Sequence, residues 1–209
     1  RYAMTHLVKT GHPDQPTFIL LHGTGGNEES LLSLANFLNP TANFISLRGE
    51  VNENGALRFF KRHREGFFDE QDLNTRGQQL KDFLEEQAKA HQFDLSDTVL
   101  VGFSNGANMA INLLLADESP FQKAILFAPM YPVDTSKLTE DKSHLRLFIS
   151  MGTEDPLVSP TDSQHVLSLF ESRGAKVTPF WVTGHEIRLD NLQAAKEWLE
   201  QLTLSTNKL

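Results

Sequence analysis

The chain contains no cysteine. That absence excludes disulfides, thiolate metal sites and a cysteine nucleophile. It also lacks any apolar run approaching the length of a membrane span. No charged-then-apolar leader pattern opens the chain, so a cytoplasmic location is the default expectation. Basic residues are the minority, 19 Lys and Arg against 27 Asp and Glu, for a formal net charge of -8. Without a basic stripe to neutralise phosphates, nucleic acid is not expected as a partner. There is no internal repeat, low-complexity tract or linker. The 209 residues suit one α/β domain over 1–209 with a full core. Arg1-Tyr2-Ala3 precede Met4 and read as the remnant of an expression tag.

What is present is an alternation of short apolar strands and amphipathic helices. Thr17–Leu21, Asn43–Leu47, Thr98–Val101, Lys123–Phe127, Leu145–Met151 and Val177–Val182 are runs suited to strands buried on both faces. Helices are expected over Ser30–Leu38, Thr75–His91, Ala107–Ala116, Ser159–Arg173 and Asp190–Leu202, from apolar spacing and cap residues. Such alternation predicts a mostly parallel sheet with helices on both faces. Glu50–Asn74 has no clear period, and that length predicts a functional loop or a short element of its own. Nothing else is long enough to form a cap domain, so this segment is expected to roof an open site.

The chemistry centres on Gly102-Phe103-Ser104-Asn105-Gly106, between a β-branched strand and a helix. This Gly-x-Ser-x-Gly pattern is that of a nucleophile elbow. The glycines let strand and helix pass closely, while the serine sits on a sharp turn at the sheet edge. By composition alone the pattern arises in about one chain in fifteen of this size, so its context carries the reading. In parallel sheets ligands bind beyond the strands' C-terminal ends. Thr24, Ser104, Asp155 and His185 all fall there, in the chain order Ser, Asp, His. Ser104 is the candidate nucleophile, His185 the base and Asp155 the residue that orients it. Glu154 is the competitor for the last role, and His22, His63 and His165 are the rival histidines. The backbone N–H groups of Thr24, in the glycine-rich Gly23–Gly26 loop, and of Asn105, at a helix N-terminus, are candidates for an oxyanion hole. Phe59, Phe60, Phe67, Phe68 and Met130 are candidates to line an acyl or aromatic pocket, with core or lid packing as the equal alternative. Arg58, Lys61, Arg62 and Arg64 read either as an attractor of anionic substrates or as a solvated face.

The segments Leu21–Asn27, Gly102–Gly106, Gly152–Pro156 and Gly184-His185 resemble the phospholipase/carboxylesterase family of small α/β-hydrolases. More narrowly, Arg48–Val51, Asn54-Gly55, Arg58–Arg62 and Phe68–Glu70 resemble the bacterial carboxylesterases associated with hydroquinone resistance. The resemblance implies an α/β-hydrolase fold without a large cap and a triad on Ser104, Asp155 and His185. It places oxyanion amides on Thr24 and Asn105, where thioesterase members of the family usually carry Leu and Gln. It further implies no cofactor, no metal, and homodimers as a form that members often take. The function expected is a serine carboxylesterase acting on small, short-chain esters. The alternatives are a lysophospholipase or acyl thioesterase using the same triad, and a hydrolase-fold protein that binds a small molecule.

Overall fold

The computed structural model describes residues 4–207, so the tag reading of residues 1–3 lies outside them. The chain runs β1 (His6–Lys9), β2 (Thr17–Leu21), α1 (Leu32–Leu38) and β3 (Asn43–Leu47). Two small hairpins follow, β4 (Val51–Glu53) with β5 (Ala56–Arg58), and β6 (Arg62–Arg64) with β7 (Phe67–Phe68). After α2 (Glu70–His91) come β8 (Thr98–Phe103), α3 (Asn105–Leu115), β9 (Lys123–Phe127) and β10 (Arg146–Gly152). The chain ends with α4 (Pro160–Glu171), β11 (Lys176–Val182) and α5 (Leu189–Asn207). The central sheet has the order β1-β3-β2-β8-β9-β10-β11. Only β1 is antiparallel to its neighbour.

Strand alternation divides the apolar residues between two faces. Ile19, Leu21, Leu100, Leu126 and Ile149 join the core made with α2, α3 and α4. Phe18, Leu20, Val99, Val101 and Phe148 join the one made with α1 and α5. Each strand therefore buries consecutive residues in opposite directions, which is why these segments read as continuous apolar runs. The architecture is the α/β-hydrolase fold expected, with no cap domain among the described residues. No described helix is long and apolar enough to cross a membrane.

Two differences from expectation stand out. The edge strand β1 was not foreseen, because His6-Leu7-Val8-Lys9 is short and half polar. Helix α2 starts at Glu70 rather than Thr75, since the Asp69 carboxylate caps it by accepting from Asp72 N–H at 3.0 Å. The aperiodic 50–74 segment carries short elements of its own, as expected, in the form of the two hairpins. The first turns at Asn54-Gly55, both with positive φ (51° and 94°), the pair preferred in two-residue turns that match the strand twist.

Candidate active site

Ser104 stands between β8 and α3 with φ 52° and ψ -115°, a strained conformation for a residue with a side chain. The neighbouring glycines make that turn feasible. A Cβ on Gly102 would lie 2.7 Å from the Ala107 nitrogen, and one on Gly106 would strike the Leu21 carbonyl. Close strand-to-helix passage thus lifts Ser104 to the C-terminal edge of the sheet, while its own N–H donates to the Phe127 carbonyl at 2.9 Å.

His185 lies in the loop between β11 and α5, with Nε2 2.8 Å from Ser104 Oγ. Its Nδ1 lies 2.6 Å from Asp155 Oδ2. Asp155 follows β10, and its side chain is 1 % exposed. Its other oxygen, Oδ1, accepts from the N–H groups of Leu157 at 2.7 Å and Val158 at 3.0 Å. Two backbone donors therefore fix the carboxylate, which in turn fixes the imidazole. Three residues far apart in sequence are joined in one hydrogen-bonded chain, Asp155 to His185 to Ser104. Glu154, the competitor, is exposed and joins the site only through its backbone, donating to Thr183. His22 is no rival base. Its Nδ1–H donates to the Gly23 carbonyl at 2.7 Å, and Nε2 accepts from Gly49 N–H at 2.9 Å. Burial holds His22 below the usual imidazole range, so it stays neutral and ties the Gly23–Gly26 loop to the chain after β3.

The N–H groups of Thr24 and Asn105 have no acceptor among the described residues. Both residues line the cavity that holds Ser104 and His185. The hairpin β4–β5 stitches these two residues in place. Gly25 N–H donates to the Leu57 carbonyl at 3.0 Å, and Phe59 N–H donates to Asn105 Oδ1 at 2.7 Å. Arg58 Nη1 donates to Thr24 Oγ1 at 2.7 Å.

The cavity measures about 240 Å³. Phe68 and Met130 line it, but Phe59, Phe60 and Phe67 do not. Phe60 is fully buried, packed edge-on against Phe68 at 4.8 Å between ring centroids. Phe59 is buried with its ring 4.7 Å from that of His22, and Phe67 faces solvent under the Arg64 guanidinium. Alternation along these short segments sends neighbouring aromatics in different directions. Glu65, Gly66, Phe103, Asn108, Ala128, Leu157 and Val158 complete the walls and were not foreseen. Asn108 had a legible signal, since it lies one helical turn after Ser104 and so on the same face. Of the basic run, Arg58 and Arg62 line the cavity, whereas Lys61 and Arg64 do not. A larger groove of about 590 Å³ lies at the opposite ends of β2 and β3 and contains none of these groups.

The family model described as Phospholipase/Carboxylesterase matches residues 3–203. The chain belongs to the phospholipase/carboxylesterase family. It is 41 % identical over 199 residues to MhqD of Bacillus subtilis (strain 168), covering 95 % of this chain and 98 % of that relative. The crystal structure of the Bacillus cereus carboxylesterase is also 41 % identical, covers 95 % of this chain and 94 % of that one, and superposes with a TM-score of 0.91. The structure of YahD with malic acid is 29 % identical, covers 95 % and 99 %, and gives a TM-score of 0.88. The family is one of phospholipases and carboxylesterases, MhqD is described as a hydrolase and the Bacillus cereus neighbour as a carboxylesterase, as the resemblance in the motifs implied.

Proposed function

We propose that the chain is a serine carboxylesterase for small, short-chain esters, working through an acyl-enzyme. The observation that carries this reading is the unbroken hydrogen-bond chain from Asp155 through His185 to Ser104. In this reading His185 Nε2 takes the Ser104 proton as Oγ attacks the ester carbonyl. The oxyanion then accepts from the free N–H groups of Thr24 and Asn105. His185 passes its proton to the leaving alcohol, and a water activated by the same nitrogen releases the acid. Asp155 holds Nδ1–H and stabilises the imidazolium in both half-reactions.

The short-chain preference is supported by the cavity, whose 240 Å³ lies below the range of about 300–1,000 Å³ usual for pockets that take drug-sized ligands. YahD is described with malic acid, which makes small polar esters the first to examine. The test is hydrolysis of nitrophenyl esters from acetate to palmitate by wild type and Ser104→Ala. Turnover is expected to peak at short chains and to fall roughly 10⁴- to 10⁶-fold in the variant. A long-chain optimum would favour a lysophospholipase or thioesterase. Serine-independent turnover in a folded variant would overturn the mechanism.

A further inference from the structure

Arg58 ends β5 with its side chain 3 % exposed, yet it lines the same cavity as Ser104. A guanidinium offers five N–H donors in a planar fork. Nε donates to the Phe60 carbonyl at 3.1 Å and Nη1 to Thr24 Oγ1 at 2.7 Å. Nη2 has no acceptor among the described residues. The charge is met only through space, by Glu53 and Glu65 and by the Phe60 ring, whose centroid lies 5.3 Å from the guanidinium carbon, with the Arg62 cation alongside. Glu53 is 3.8 Å from Arg58 Nε, but both its oxygens bind Arg62, at 3.0 and 2.7 Å. Glu65 also turns to Arg62, at 2.7 Å. Both carboxylates thus hydrogen-bond Arg62, while Arg58 shares them only at a distance.

Burying a cation with an unspent donor is unfavourable unless something completes it. Burial does lower the Arg58 pKa, to about 10, which still leaves it charged at neutral pH. Tying the hairpin to the Thr24 loop uses only two of five donors and needs no charge. Phe103, Met130, Leu157 and Val158 give the cavity an apolar lining, and the carboxylate of Glu65, which also lines it, is engaged by Arg62. We propose that Arg58 is a specificity-determining residue that receives a carboxylate, so that the preferred esters carry a carboxylate beside the scissile bond. Guanidinium and carboxylate match as planar, two-bond partners, and the pairing is stronger in a site shielded from water. The proposal rests on the esterase reading above.

The test compares matched esters by proton release at constant pH. Monomethyl succinate is set against methyl butanoate, and O-acetylglycolate against propyl acetate, so the carboxylate is placed on either side of the ester. Wild type is expected to favour the charged member of at least one pair by tenfold or more in kcat/KM. In Arg58→Gln that ratio should fall to near one. A merely structural Arg58 would lower both members equally and leave the ratio unchanged, which would overturn the proposal. So would a wild-type ratio at or below one in both pairs. Should Arg58→Gln fail to fold, wild-type inhibition decides. Succinate should compete with 4-nitrophenyl acetate at least tenfold more strongly than succinamide does, and equal inhibition would refute the idea. The esterase reading is checked separately in the same series, because it stands or falls on Ser104-dependent turnover of 4-nitrophenyl acetate.

Discussion

Replacing Asp155 with Asn isolates one feature of the site, the direction of a proton. In the native arrangement Asp155 accepts three N–H groups, two from the backbone on Oδ1 and one from His185 on Oδ2. Asparagine keeps the shape but turns one oxygen into an NH₂ donor. If that NH₂ faces Leu157 and Val158, donors meet donors at 2.7 and 3.0 Å. The amide therefore settles with its oxygen toward the backbone and its NH₂ toward His185. Nδ1 must then accept, so the imidazole proton moves to Nε2. That nitrogen points at Ser104 Oγ from 2.8 Å and can no longer take its proton. Loss of the correct tautomer in a serine triad lowers kcat by about 10⁴, or roughly 5.5 kcal/mol of transition-state stabilisation. KM should change little, since Asp155 does not line the cavity. The assay is nitrophenyl acetate hydrolysis at neutral pH, with circular dichroism to confirm folding. Asp155→Ala provides the contrast. It leaves the imidazole free to take either tautomer but strips two backbone donors of their acceptor, at a cost to stability of about 1–3 kcal/mol. A folded Asp155→Asn enzyme within tenfold of wild type would refute the tautomer argument.

Other perturbations probe the scaffold. Gly106→Ala should destabilise by roughly 3 kcal/mol or more, because its Cβ meets the Leu21 carbonyl rather than a flexible side chain, and an unchanged urea midpoint would contradict this. His22 binds a proton less readily in the folded chain than its ordinary value of 6.5. Its contribution to stability is therefore complete above about pH 6.5 and is lost as the pH falls through the lowered folded value. His22→Gln should remove that dependence, up to about 1.4 kcal/mol per pH unit, and identical pH slopes in urea melts of variant and wild type would exclude it. Phe68→Ala should enlarge the cavity and move the chain-length optimum toward longer esters, at a stability cost of about 3 kcal/mol, and an unmoved optimum would remove Phe68 from the pocket wall.

How legible the molecule is from its sequence follows from which interactions are local. Strands buried on both faces announce themselves as apolar runs, and Ser159-Pro160 announces α4 through a cap whose hydroxyl accepts from Asp162 N–H at 3.1 Å. The positions of Ser104, Asp155 and His185 were readable because each follows a strand at the same end of a parallel sheet. The cavity walls were not. Phe59, Phe60, Phe67 and Phe68 look equivalent in the sequence, yet only Phe68 faces the cavity. Which one does depends on the hairpin register, where Arg62 pairs Phe68 and Arg64 pairs Phe67 across an irregularity. The hairpin turn at Asn54-Gly55 carried a local signal, but its consequence did not. That the loop arriving there would meet Thr24 and Asn105 is a contact between segments 34 and 46 residues apart.

That contact joins two tasks in one element. The β4–β5 hairpin and the residue after it hold the Thr24 loop through Leu57 and Arg58, and the side chain of Asn105 through Phe59. The same hairpin presents Arg58 to the cavity. If those two amides receive the oxyanion, a substrate group bound by Arg58 pulls on the strap that positions them. Binding energy from a remote part of the ester would then act on the geometry of the reacting centre, where it raises kcat rather than only lowering KM. Neutral esters would lose that contribution even when they fit the cavity. Recognition in this site is therefore expected to show itself in turnover as much as in affinity.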